Sequence, residues 1–134
     1  MSEDKLLEFQ KFLQDITGVN VLIGNVDVGG NDLPVWTVDF TDDWEVKYLS
    51  NAATMVNFNL NCTLWVGRKN SLQGLQIMIK TLKSINTFDK KSGSGIGTEF
   101  TKPFSEQSAT ISTELTTNNI KLSFPFRINT IIQE

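Results

Sequence analysis

A chain of 134 residues and 15.0 kDa is one domain by size, long enough to bury roughly two-thirds of its unfolded surface without staples. Its net charge of −3 and pI near 4.9 do not supply the clustered cations of general nucleic-acid binding. With no histidine and one cysteine, Cys62, it has no internal disulfide, no Ser-His or Cys-His nucleophile pair, no thiolate cluster and almost no route to a zinc site.

In chain order, Ser2-Glu3-Asp4 leads into Leu6, Leu7, Phe9, Phe12, Leu13 and Ile16. Ser2 or Asp4 caps the orphan N–H groups, and positions 6, 9, 13 and 16 with 12 alongside form one apolar stripe. Gly18 ends this helix as a left-handed C-cap. The acidic start predicts no secretory signal, and no apolar run nears the ~20 residues of a membrane span. The expected location is therefore the cytoplasm, or an assembly built there.

Val19, Val21 and Ile23 predict a short strand, and residues 27–33 (DVGGNDL) a loop. Pro34 opens the next strand, Val35-Trp36-Thr37-Val38-Asp39-Phe40, where a first-position proline is tolerated. Residues 41–50 are acidic and carry Trp44 and Tyr48; they read as a turn with a ragged strand, or as a hairpin arm.

Residues 54–66 (TMVNFNLNCTLWV) carry the strongest pattern in the chain. Val56, Phe58, Leu60, Cys62, Leu64 and Val66 alternate with Asn57, Asn59, Asn61 and Thr63, which predicts a strand with one dry and one wet face. At about 3.3 Å per residue it spans roughly 40 Å, more than twice a typical strand. Cys62 falls in the apolar row, where a free thiol is a small buried hydrophobe. Trp65 breaks the alternation, so it sits at a bulge or emerges on the polar face.

Gly67-Arg68-Lys69-Asn70 turns the chain, and Asn70 or Ser71 caps a second helix. Its predicted apolar stripe is Leu75, Met78, Leu82 and Ile85, with Leu72 and Ile79 close by. Gly74 is expected to weaken the first turn by about 1 kcal/mol relative to Ala. Residues 88–108 give no periodicity and predict a long loop, the kind that is functional or flexible. Phe88, Ile96, Phe100 and Phe104 within it are unlike a disordered linker, which is aromatic-poor; the expectation is a loop that orders against another copy or a partner. Residues 109–117 form a strand, Asn118-Asn119 a hairpin turn, and residues 120–128 a last alternating strand. Pro125 cannot donate to a ladder, so that strand lies at an edge or is unpaired on its outer side there.

Strands in runs with two helices set apart predict one α+β domain over 1–134, with a mainly antiparallel sheet and both helices on one face. Chemistry is sparse. Gly93-Ser94-Gly95-Ile96-Gly97 follows a helix rather than joining a strand to one, so it reads as a loop and not a phosphate cradle. Asp39, Asp42, Asp43 and Glu45 lack the spacing and turn glycine of a calcium loop, and nothing sets a carboxylate in an apolar pocket for hydrolysis. No catalytic residue, metal or cofactor is expected. Trp and Tyr are enriched at interfaces, and this points to Trp44, Tyr48, Trp65, Arg68, Phe88, Ile96, Phe100 and Phe104 as contacts to another copy or a partner. Arg68, Lys69, Lys80, Lys83, Lys90 and Lys91 cluster around the second helix, as a solvated face, a charged lumen or an inter-subunit contact.

The order of elements resembles the tail terminator, or tail completion, proteins of long-tailed bacteriophages and related contractile injection systems. The likeness runs through the helix at 6–16, the Pro34-led strand, the long strand at 56–66, the Gly67-Arg68-Lys69 turn, the helix at 72–85, a variable loop and the closing strand at 120–128. The resemblance implies a non-enzymatic virion subunit, a homo-oligomer that closes as a hexameric ring. Such a ring caps the tail tube, ends its polymerisation and meets the neck or connector protein. A head–tail adaptor, a baseplate component and a small monomeric ligand-binding module are the alternative expectations.

Overall fold

The computed structural model describes residues 2–24, 33–41, 45–85, 88, 95–96, 108–116 and 118–133. Helix α1 (Ser2–Thr17) leads to β1 (Val21–Ile23), β2 (Val35–Phe40), β3 (Glu45–Tyr48) and β4 (Ala53–Gly67). A 3-10 turn (Arg68–Asn70) runs into α2 (Ser71–Ile85), followed by β5 (Gly95–Ile96), β6 (Ser112–Leu115) and β7 (Asn119–Gln133). The fold is α+β, as expected, with seven described strands in one sheet.

Two strands of 15 residues each, β4 and β7, form the spine. They pair antiparallel along their whole length, from Ala53↔Gln133 to Gly67↔Asn119. The outer side of β4 is shared: β2 pairs with residues 60–65 and β3 with residues 54–57. The outer side of β7 is shared as well, with β6 on residues 120–123 and β5 on residues 126–127. Phe124 and Pro125 fall between those two partners, so the proline, which has no N–H to give, sits where the described ladder is interrupted. Only β1 departs from antiparallel pairing among the described strands, running parallel to β2.

Period-two alternation sorts the side chains of β4 as predicted. Val56, Phe58, Leu60, Cys62, Leu64 and Val66 are all buried on one side, and both helices cover that side. From α1, Phe9 and Leu13 are fully buried. Phe9 stacks on Phe126 with centroids 4.8 Å apart and meets Phe88 edge-on at 5.3 Å, a geometry that adds to area burial. The Thr17 hydroxyl donates back to the Leu13 carbonyl and accepts from Trp36 Nε1 at 3.3 Å, tying the end of α1 to β2. Gly18 follows with φ 68°, the left-handed cap that the sequence predicts.

Helix α2 buries Met78 and Ile85 of the expected stripe and packs Leu82 partly against the core, but it leaves Leu75 exposed. Gly74, Met78, Thr81 and Ile85 are buried, whereas Leu72, Leu75 and Ile79 are 70%, 43% and 44% exposed. The cause is Gly74. A Cβ built there would stand 2.8 Å from Val66 Cγ2 and 3.4 Å from Leu122 Cδ1, so the bare glycine lets the helix lie directly on β4 and β7. The glycine thus makes a packing contact, in addition to the helix propensity it costs the first turn.

The other side of β4 also differs from expectation. Asn57, Asn59, Asn61 and Thr63 are polar, but they are not wet. Asn57 is fully buried, Thr63 is 7% exposed, and Asn59, Asn61 and Trp65 are half-buried. Neighbouring strands send long side chains across this face. Arg127 Nε donates to Asn59 Oδ1, and Trp65 Nε1 donates to Thr37 Oγ1 at 2.9 Å. The chemistry of the alternation is right; the solvent exposure inferred from it is not.

Candidate interaction surfaces

The described residues among those expected at an interface scatter over the molecule. Phe88 is a correction: it is 9% exposed and packs against Phe9, Phe12 and Phe126. It fills the core beneath α1 and offers no contact surface. Ile96 is also drawn inward, since β5 pairs with β7 and its side chain packs partly buried against the core. Part of the supposed loop is therefore sheet. Trp44, Phe100 and Phe104 lie outside the described residues.

Trp65 emerges on the polar face with no bulge, paired between Val35 and Lys121. The Lys121 ammonium sits 4.2 Å from its ring centroid, a cation–π contact that covers one side of the indole. Tyr48 is 83% exposed on β3, and Arg68 is exposed in the turn after β4. These last two stand at opposite ends of the spine, roughly 40 Å apart by strand rise. They cannot belong to one patch on one copy.

Two of the described strands, β3 and β6, have every residue exposed. They lie on opposite margins of the sheet, β3 beyond β4 and β6 beyond β7. On β3, Val46 and Tyr48 are 49% and 83% exposed, with Leu49 beside them at 52%; on β6, Leu115 is 61% exposed. An edge strand offers unpaired backbone donors and acceptors to another strand, and here both edges also show bare apolar side chains. Charges lie on these strands and, for Lys121, on the adjoining β7. Lys47 Nζ is 3.2 Å from Glu45 Oε1, and Lys121 Nζ is 3.8 Å from Glu114 Oε2. Sequence reading identified only Tyr48 of this set. The alternation in β3 spans four residues, too few to separate an edge strand from a turn.

The polar face contains a recess of about 270 Å³, lined among others by Asp39, Asn61, Thr63, Trp65, Glu114 and Lys121. Burial raises the Asp39 carboxyl above its usual value. Behind it in the sheet, burial pushes the Cys62 thiol far up, with the Asp39 charge adding to the effect. A thiol in that state is inert. Farther along the same face, buried Asn57 has no hydrogen-bond partner for its side-chain amide among the described residues. Among the described residues no group of three or more His, Cys, Asp or Glu is arranged to hold a metal ion.

A second depression, of about 360 Å³, lies on α2 between Gln76, Ile79, Lys80, Lys83 and Ser84. The basic residues of the helix border its exposed apolar stripe, so two of the expected cluster, Lys80 and Lys83, share a surface with Ile79. No described helix is long and apolar enough to cross a membrane. No protein-family model matches this chain, and no curated protein matches it.

Proposed function

We propose that this chain is a non-enzymatic structural subunit that closes into a ring, of the kind that ends a phage tail tube and joins it to the neck. The observation that carries the reading is the pair of fully exposed strands, β3 and β6, on opposite margins of one sheet. Different surfaces on the two margins give a head-to-tail contact, and a head-to-tail contact that rotates back on itself makes a ring. The order of elements described for the sequence supplies the rest: a hexamer, a tail-tube protein on one side, a neck or connector protein on the other, and a place in the virion. In this reading the chain needs no cofactor and binds neither a membrane nor a specific nucleic-acid sequence. A head–tail adaptor or baseplate subunit is the nearest variant, since it uses the same edges with different partners.

Images of the purified protein in negative stain test the proposal. Six-fold rings with a tube-sized hole support it; single compact particles at every concentration contradict it. The recess beside Asp39 and Trp65 favours a second reading, a monomeric module holding a small polar ligand. That reading requires a monomer whose melting temperature rises with a compound from a polar-ligand library.

A further inference from the structure

We infer that the ring seam is an intermolecular strand pair in which β6 of one copy adds to β3 of the next, antiparallel, with Glu114 opposite Lys47 and Leu115 opposite Val46. This rests on the ring reading above and names the partner of each edge as a second copy of this chain. Strand direction comes first. β3 runs antiparallel to β4, β4 to β7 and β7 to β6, so β3 and β6 point in opposite directions within one copy. A rotation that carries one copy to the next, with the same face outward, brings β6 against β3 antiparallel. The sheet then continues without a reversal in its pattern.

Side-chain facing agrees with that direction. Lys47 pairs with Met55, and Glu114 with Lys121, which places both on the polar face of the sheet. Val46 pairs with Val56, and Leu115 with Ile120, which places both on the helix side. Directly opposed residues of paired strands share a face, so one register satisfies both conditions. It joins opposite charges on one side and two exposed apolar side chains on the other. Glu45 and Lys121 already flank Lys47 and Glu114, so the four charges alternate in sign across the seam. Such complementarity fixes register and partner.

The outline of the sheet fits as well. β3 borders residues 54–57 of β4, whereas β6 borders the far end of the spine. Pairing them slides each copy roughly 33 Å along the strands and about 19 Å across them, about 38 Å in all. The neighbour's β1 and β2 then pass beyond the end of the first copy's spine, and the first copy's β5 passes beyond the end of the neighbour's. Six copies at that spacing stand on a circle of about 38 Å radius through the sheets, with strands oblique to the ring axis.

Charge reversal in the full chain tests the seam. Lys47→Glu and Glu114→Lys should each remove the ring from mass photometry, because each opposes like charges at every contact. Mixed in equal amounts the two variants should recover the ring, since an alternating circle restores an opposite pair at each seam. The double variant should recover it too. Circular dichroism and a melting temperature within a few degrees of the parent verify folding. Val46→Glu and Leu115→Lys, on the opposite face, repeat the logic if a first-pair variant misfolds. Single variants that keep the parent's ring yield, or a mixture that stays monomeric, overturn the seam while leaving the ring. A dimer lost in Lys47→Glu and kept in Glu114→Lys overturns it in favour of β3 pairing with itself. A parent chain that is monomeric throughout overturns the ring, and the seam with it.

Discussion

The helix-covered side of the spine and its two outer margins are built from the same alternating strands, yet they solve opposite problems. Beneath α1, Phe9, Phe88 and Phe126 close on one another at centroid distances of 4.8 to 6.2 Å, and Gly74 lets α2 come within contact of Val66. Among the described residues these buried rings find their partners inside the chain. At β3 and β6 no residue is buried, and Val46, Tyr48 and Leu115 remain exposed. Intrachain packing thus finishes one side of the sheet and leaves its edges unfinished. A substitution in the first region should change stability and only through it assembly, whereas one at the edges should change assembly alone.

The largest effect should come from the aromatic cluster. Phe126→Ala removes the ring on which Phe9 stacks and opens a cavity in contact with Phe88; a loss of about 3–5 kcal/mol is expected from chemical denaturation. A loss under about 1 kcal/mol would mean that the cluster is not the anchor of α1. Gly74→Ala sharpens the comparison by adding one methyl group where the helix touches the sheet. Overpacking costs about 1–3 kcal/mol, and the gain in helix propensity of about 1 kcal/mol offsets part of that. A net loss in melting temperature is the expected sign; a rise would show that Val66 moves aside.

Asp39→Asn should give the smallest change, visible chiefly in its pH dependence. Burial raises the Asp39 carboxyl in the fold, so the folded chain holds its proton to higher pH than the unfolded chain does. The Asp39 contribution therefore favours the fold below the unfolded value and fades as pH rises through the folded one. The asparagine variant should lack that decline and melt slightly higher at pH 7 than the parent. Melting curves from pH 4 to 7 check it, and parallel profiles for the two proteins would remove Asp39 as the source.

Much of the finished side is legible in the residues themselves. The alternation from Val56 to Val66 gives the buried row, and Leu6, Phe9, Phe12 and Leu13 ending at Gly18 give α1 and its cap. Pro125 marks the gap in the ladder. The rest depends on contacts distant in sequence. Of the stripe Leu75, Met78, Leu82 and Ile85 only Leu75 is left exposed, because Gly74 takes the contact with Val66 just before the helix and with Leu122 of the distant strand β7. Phe88 follows a helix in a glycine-rich stretch and reads as an exposed aromatic until Phe9 and Phe126 are in place beside it. The polar face reads as wet because alternation reports polarity; it cannot report that Arg127, Lys121 and Trp65 fold across Asn59 and Thr37. The edges are the least legible part, since residues 45–48 and 112–115 pair with a described strand on one side alone, and four residues are too few to show that.

Hydrogen exchange on the parent chain, at dilute and at high concentration, tests most directly whether those two margins meet. Outward amides of Glu45–Tyr48 and Ser112–Leu115 should both slow as the protein is concentrated, in step with one another, while the amides along β4 stay unchanged. Exchange that is the same at both concentrations, or protection of one margin without the other, would contradict the joining of β3 to β6.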